Sequence, residues 1–537
     1  MQRHRLVVLT PLLLIAVAIL ARSISLQWSS LPYNIDGLSE LRVAQDILST
    51  NHLDFSPGSS HTESYVVDMP LLGLVIAFLS SLLGVDPVHS SQLTTALIGS
   101  VAVSIGYLLL RQHWRSHRAA VSSALVLALV GSFVFSAGCV WKETLGLTLI
   151  LLVLYAYPLR QSTNHRLLMT IPLPLLVFTH HHATVVAFVM LTFAVVMDLA
   201  SRPRKTPLTR TEHMDILTVL SSWGLAVVYY DTISLPYLDY LSPKSDLYLY
   251  LAVAFLVLLV AVKMSVSKKP ITELPIELSV PMIGAAIMVY NFYHPLFPGI
   301  PAPASLIAVP FLAYLIIVVP AWGGAGLVLR TRGPSKNLLL AMVLGPLSLI
   351  LFAFVRSTDA MSHEIVFRTF DFLMPALAVF VGLGFAFIVK GRERLGMLVG
   401  ACFVVILAST LPVAYSSQEL FGVENQTYQY EYDAVEWLSM HGVDSYTSDQ
   451  RLGETGWRLF DIEYGRGLPY TLSEGLALNG SSFYMLEEQW STDGAQEFPF
   501  GTVVVSHETI SQTLDGSSVV YIGGSVGGQL VLLRTQP

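Results

Sequence analysis

The sequence predicts an all-α polytopic membrane bundle of about 13 transmembrane helices, followed by a small α/β domain at the C-terminal end. Three observations predict it. Hydrophobic residues make up 53% of the 537 and charged residues only 12%, and the mean hydropathy is +0.61, a balance foreign to water-soluble globular chains of this size. Apolar runs recur along the chain at or near the ~17–25 residues that cross a bilayer. The net charge of −7 is also divided: from residue 415 onward, 17 Asp and Glu stand against 4 Arg and no Lys, giving −13, while the preceding residues carry +6. Residues 1–414 therefore read as the membrane domain and 415–537 as an acidic soluble piece, suited to staying hydrated in high salt.

The apolar runs fall near 6–26, 69–84, 91–110, 119–137, 143–158, 167–180, 183–198, 214–230, 247–262, 277–292, 304–329, 338–355, 369–389 and 396–414. Leu6 to Ala21 follows a basic start in the manner of a signal peptide, but it lacks a small-x-small cleavage site and further runs follow, so it is read as a retained first helix. Short cytoplasmic loops collect Lys and Arg. Placing Arg111–Arg118, Arg202–Arg210, Lys263–Lys269, Arg330–Lys336 and Lys390–Arg394 inside leaves the tail after 414 outside the cytoplasmic membrane. Fourteen crossings would set both termini on one side, against the basic start and the acidic tail. Met69 to Gly84, short and opened by Asp68-Met69-Pro70, is therefore the run read as not crossing. The N-terminus is then cytoplasmic and residues 27–68 form the first outer loop.

Chemistry is expected in Leu31 to Ala44 of that loop. Leu38, Leu41, Val43, Ile47 and Leu48 suit a short amphipathic helix, on which Asp36 and Glu40, four apart, share a face. An acidic pair held where bilayer meets water can act as general base on a substrate delivered from the lipid, with metal ligation as a second use. A plain helix start is the alternative: Asp36 as N-cap, with Glu40 near the dipole.

Ionisable groups at the membrane edge are costly, and are functional candidates for that reason. The outer face gathers Asp54, His61, Glu63, Asp68, Lys142, Glu143, His180 to His182, Asp231, Asp239, His294 and the loop Arg356 to Arg368 with His363. Lys142 either snorkels to the interface or meets a phosphate. Successive histidines lie about 100° apart on a helix, so a three-His metal site is not expected, whereas one of His180 and His181 lining a pocket is. Glu143, His294 and His363 are further pocket-lining candidates. Two Arg on an outward loop run against the positive-inside tendency and invite an anionic phosphate, which guanidinium forks match bidentately. Pairing of Arg356 and Arg368 with Asp359, Glu364 or Asp371 is the alternative. Cys139 and Cys402 are the only cysteines, which excludes a disulfide framework and a cysteine-built metal site.

In the tail, Asp433 to Leu438 has a helical pattern, and Val503–Ser506, Val519–Ile522 and Leu530–Leu533 are strand-like runs separated by glycine turns. Asn425-Gln426-Thr427 and Asn479-Gly480-Ser481 fit the glycosylation acceptor pattern. There is no Walker loop, no GxGxxG after a strand, no HExxH, no long repeat and no basic-aromatic patch, so no nucleic-acid partner is expected.

Several short motifs resemble the GT-C superfamily of membrane glycosyltransferases, more narrowly the protein-mannosyltransferase and aminoarabinose-transferase type in its archaeal form. Asp36 with Ala44 matches the family's catalytic Asp in the first outer loop and the Ala some eight positions on. Members often carry Asp-Glu there; this chain has Asp36-Gly37, and Glu40 stands as the substitute second acid. Met69-Pro70-Leu71 resembles the family's Pro-Pro-Leu, Trp141-Lys142-Glu143 its basic residue opening a later span, His180 to His182 its His between short spans, and Arg368-Thr369-Phe370 to Pro375 its Arg-aromatic before a Pro-containing span. The tail, with its Asp433–Leu438 helix and Thr447 to Arg451 turn, is similar to the outer domain of archaeal members. The resemblance implies an inverting transfer from a polyprenyl-phosphate sugar to a glycan, lipid or protein hydroxyl on the outer face of the membrane. Asp36 would be the base, with Lys142 and Arg368 on the lipid phosphate. It implies no nucleotide or redox cofactor, and leaves open whether a divalent cation joins Asp36. An oligosaccharyltransferase would share the architecture, but its Trp-Trp-Asp signature is absent. A transporter of a small or lipid-linked solute is the reading from another class; it predicts repeated halves, which the sequence does not display.

Overall fold

The computed structural model describes the chain apart from residues 1, 54–63, 204–205, 234–243, 267–285, 287–288, 291–292, 295–307, 332, 392, 416–425, 477, 479–482, 493, 498–500, 516, 526–527 and 535–537. The apolar run 277–292 for the most part, Asp54, His61, Glu63, Asp239 and the acceptor asparagines Asn425 and Asn479 lie outside the described residues.

The chain is a multi-pass membrane protein. Among the described residues seven helices are long and apolar enough to cross, and Met361–Asp371 with Met374–Ile388, bent by 41°, would make an eighth. Several of the apolar runs fold as short pieces among the described residues. Pro172 divides 167–180 between Thr163–Thr170 and Pro172–Val177. The run 119–137 breaks at Val130 into His117–Leu129 and Gly131–Ser136. Leu71–Leu83 has 13 residues, about 20 Å at ~1.5 Å per residue against a hydrocarbon thickness of ~30 Å.

One continuous apolar core runs through the bundle, from Leu14 to Ala414. The buried Arg22, at the end of the helix Gln2–Arg22, fastens the turn that leads into the site. Its guanidinium donates to the carbonyls of Ala137 at 3.1 Å, Leu127 at 3.0 Å and Ala18 at 3.3 Å. The Leu127 and Ala137 carbonyls are acceptors left over at a helix end and in the turn.

The tail folds around a five-stranded sheet built from β1 (Ser445–Thr447), β2 (Glu463–Gly465), β3 (Phe483–Glu487), β6 (Ser518–Ser525) and β7 (Gly528–Arg534). Their order is β2-β1-β3-β7-β6. β1 is parallel to β2 and β3, while β3, β7 and β6 run antiparallel. The separate pair β4 (Ala495–Glu497) and β5 (Gly501–Val503) is antiparallel. The expected strand at 503–506 is thus shifted, with only Val503 inside β5. On β3, Met485 joins one apolar cluster with Val435 and Leu438, and Tyr484 and Leu486 join another with Trp490, so both faces of the sheet are covered.

Glu497 is 5% exposed, and one of its carboxylate oxygens finds no hydrogen-bond partner. Burial, then the nearby Asp449 charge, push its carboxyl up to about 7. A raised acid stabilises the fold fully below the ordinary Glu value and loses that contribution as pH rises to about 7. The effect is on the order of 3 kcal/mol at most. Pulse proteolysis of the tail is therefore expected to find it more stable at pH 5 than at pH 8 on this account, and Glu497→Gln should flatten the wild-type slope.

Candidate active site

The helix Gly37–Thr50 begins at Asp36, which occupies its N-cap position, yet the Asp36 carboxylate makes no capping hydrogen bond. The backbone N–H of Asp36 instead donates to Asn34 Oδ1 at 2.8 Å, and the carboxylate is left 46% exposed. The next position, Gly37, leaves no room for a side chain. A Cβ at Gly37 would lie 2.7 Å from both Val140 Cβ and the Val140 carbonyl oxygen. That approach sets Asp36 against the turn that carries Lys142.

The turn is held from several sides. Trp141 Nε1 donates to the Ser136 carbonyl at 2.7 Å, and Thr144 Oγ1 to the Cys139 carbonyl at 2.8 Å. Lys142 and Glu143 then open the helix Lys142–Ala156 in its first turn, both buried. Lys142 Nζ lies 3.4 Å from Glu40 Oε1 and donates to the Val66 carbonyl at 3.3 Å. Glu40 is 3% exposed, and its Oε2 is buried without a hydrogen-bond partner. Burial pushes the Glu40 carboxyl above its ordinary value, with Lys142 opposing. Asp36 and Glu40 are thus four apart in one element but differ in environment, one facing water and the other enclosed.

Glu143 is the hub of the second half of the cluster. Its Oε1 pairs with Arg368 Nη1 and stands 3.3 Å from His180 Nε2. His180 caps the helix His181–Ala200 by accepting from the Ala183 N–H at Nδ1, 3.3 Å away. That bond assigns the ring proton to Nε2, pointing it at Glu143. Arg368 also pairs with Glu364, one turn back on the helix Ala360–Asp371, and its side chain is 28% exposed. The three histidines diverge as their helical spacing requires: His180 meets Glu143, His181 packs at 4.7 Å from the His180 ring, and His182 meets Thr369 Oγ1 at 3.0 Å.

Of the residues expected from sequence, the fold gathers Asp36, Glu40, Lys142, Glu143, His180, His181 and Arg368. Asp36 lies within electrostatic reach of both Glu40 and Arg368. Arg356 takes the pairing alternative, with Asp246 at 2.7 Å and Asp359 at 2.9 Å, at the far end of the helix that carries Arg368. His363 stacks on Phe367 with ring centroids 6.2 Å apart, and the exposed His294 sits 5.0 Å from the Tyr290 ring. Among the described residues no group of three or more His, Cys, Asp or Glu is disposed to hold a metal ion.

One member of the cluster was not foreseen. Arg458, on the tail helix Gln450–Phe460, reaches Asp36 Oδ1 at 3.6 Å. The two elements meet across an apolar seam of Leu31, Leu38, Leu41, Val88 and Leu459, flanked by Tyr432 and Phe460. Arg42 closes its edge by donating to the Leu459 carbonyl at 2.6 Å and to Asp461 Oδ2 at 2.9 Å. The only hint in the sequence is the Glu454–Arg458 spacing, which any exposed helix could carry.

Against solved structures, the chain is similar to ArnT from Cupriavidus metallidurans in the apo state, with a TM-score of 0.52 and 12% identity over 98% of each chain. The chain has the GT-C fold. Two further GT-C structures resemble it at a TM-score of 0.49. One is the apo oligosaccharyltransferase of Archaeoglobus fulgidus, at 12% identity over 90% of this chain and 70% of that one. The other is the arabinofuranosyltransferase AftD from Mycobacteria, at 16% identity over 98% of this chain and 41% of that one. No protein-family model and no curated relative matches the sequence.

Proposed function

We propose that this GT-C protein transfers a sugar from a polyprenyl-phosphate donor to an acceptor hydroxyl on the outer face of the membrane, with inversion. One observation carries the reading. A half-exposed carboxylate, Asp36, stands free of its helix cap and within electrostatic reach of a partly exposed guanidinium, Arg368, at the junction of the first outer loop and the spans. A base and an anion site in one place are what this displacement needs.

The acceptor oxygen attacks the anomeric carbon, its proton passes to Asp36, and the bond from that carbon to the phosphate oxygen breaks. Negative charge then gathers on the departing lipid phosphate, and Arg368 meets it. Glu143 and Glu364 hold the guanidinium from behind, so its orientation is fixed before the donor arrives. Lys142 is too enclosed to serve as the primary phosphate ligand. Its role is to neutralise Glu40, and Glu40 is correspondingly not the base. His180, fixed by its cap and by Glu143, completes the wall of the site.

The test is sugar transfer from synthetic polyprenyl-phosphate donors in proteoliposomes. Arg368→Gln is expected to lower kcat/KM for the donor by roughly 10²–10³, the cost of one donor aimed at developing charge. Arg368→Lys should recover only part of it, because an ammonium lacks the fork. Wild-type protein inert with every donor class tried, or Arg368→Gln as active as wild type, would overturn the reading.

A further inference from the structure

We infer that Arg458 is a positioning residue of the active site, so that the acidic tail completes the base contributed by the first outer loop. The inference rests on the reading of Asp36 as that base. Arg458 is only 8% exposed, yet its guanidinium is shared between two domains. Nε donates to Glu454 Oε2 at 2.8 Å on its own helix, while Nη1 donates to Ser39 Oγ at 2.7 Å and faces Asp36 Oδ1 at 3.6 Å. Glu454 is itself fixed on the far side, accepting from Tyr464 Oη at 2.8 Å and Arg466 Nη2 at 3.2 Å. The row Tyr464 and Arg466, Glu454, Arg458, Asp36 therefore runs from the tail sheet to the reacting carboxylate. Each link in it is a charged or hydrogen-bonded contact.

This arrangement does for Asp36 what the helix cap does not. A carboxylate that bonds no backbone N–H is free to rotate, and a base must be aimed within a few tenths of an ångström to be effective. Arg458 pairs with one carboxylate oxygen, Oδ1, and so biases the orientation of the group. The titratable groups within electrostatic reach of Asp36 are Arg458 from the tail, Glu40 from its own helix, Arg368 from the bent span and the buried Cys139 thiol. Of these, Arg458 alone comes from the tail.

Two measurements test the proposal. The first does not depend on transfer. In full-length protein carrying Cys402→Ser and Asp36→Cys, the rate of alkylation by iodoacetamide is followed against pH. A neighbouring guanidinium lowers the midpoint of that profile, so adding Arg458→Gln should raise it by roughly 0.5–1 pH unit, and Arg458→Lys should return most of the shift. Unchanged midpoints would overturn the proposal.

The second is kinetic. In the otherwise wild-type enzyme, Arg458→Gln should lower kcat about tenfold with donor KM held within about twofold, while Arg458→Lys recovers activity. Arg42→Gln weakens the same seam away from Asp36 and should leave kcat unchanged. Equal losses in Arg458→Gln and Arg42→Gln would assign the effect to docking of the tail and overturn the positioning role. If Asp36→Asn proves fully active, the assignment of the base fails on its own, while the alkylation profile still decides whether Arg458 governs position 36.

Discussion

Asp36→Asn should abolish measurable transfer, lowering kcat by roughly 10²–10⁴ while leaving donor affinity and folding nearly intact. The substitution keeps the shape and one hydrogen-bonding oxygen but removes the basic site. Asp36 is half exposed and bonds no backbone group, so its loss strands no buried partner; Arg458 keeps Glu454 and Ser39. Glu40→Gln makes an instructive comparison. Glu40 is enclosed beside Lys142, so its replacement should appear as lost stability more than as lost turnover. Transfer in proteoliposomes at matched protein density, with thermal stability in detergent as the companion measurement, separates the two. Abolition by Glu40→Gln with full activity in Asp36→Asn would exchange their roles.

The second large effect is on stability and lies in the tail. Arg451, 2% exposed, pairs with Glu431 and, at 2.6 Å, with Glu487, which are 0% and 1% exposed in their side chains. Arg451→Met would leave two carboxylates buried around an apolar side chain. Breaking a buried ionic group in this way costs on the order of 3–5 kcal/mol, whereas replacing all its members by apolar groups is often neutral or better. The single variant should therefore lose its tail to pulse proteolysis at much lower urea. Arg451→Met combined with Glu431→Leu and Glu487→Leu should recover most of the loss. A single variant as stable as wild type would mean the triad contributes nothing beyond its volume.

The sequence carried the membrane character, the apolar runs and most of the residues at the site, because each leaves a local mark. Asp36 follows the first run, Lys142 opens a helix, His180 stands at a cap, and Arg368 is a cation just before an apolar run. Composition and period register such features directly. The span count was less legible, since hydropathy sums over residues and does not register where Pro172 or a break at Val130 divides a run. The tail strands were half legible. β6 and β7 are long enough to display their pattern, whereas β1 and β2 have three residues each and owe their extended form to neighbours in the sheet. The partner of Asp36 was not legible at all. Arg458 and Arg356 are equally plausible cations when read alone, and only the folded chain pairs one with Asp36 and the other with Asp246 and Asp359.

The separation of Asp36 and its guanidinium partner also has a meaning in time. Ser39 and Arg458, which hydrogen-bond to each other, are 419 residues apart in the chain. At about 5–20 residues per second, ribosomal synthesis separates them by roughly 20–80 s. The Asp36 carboxylate is therefore made well before its guanidinium partner. Until the helix Gln450–Phe460 has been made and has docked, the growing chain lacks both the apolar seam and the contact between Arg458 and Asp36, so the two halves of this junction come together only late in synthesis.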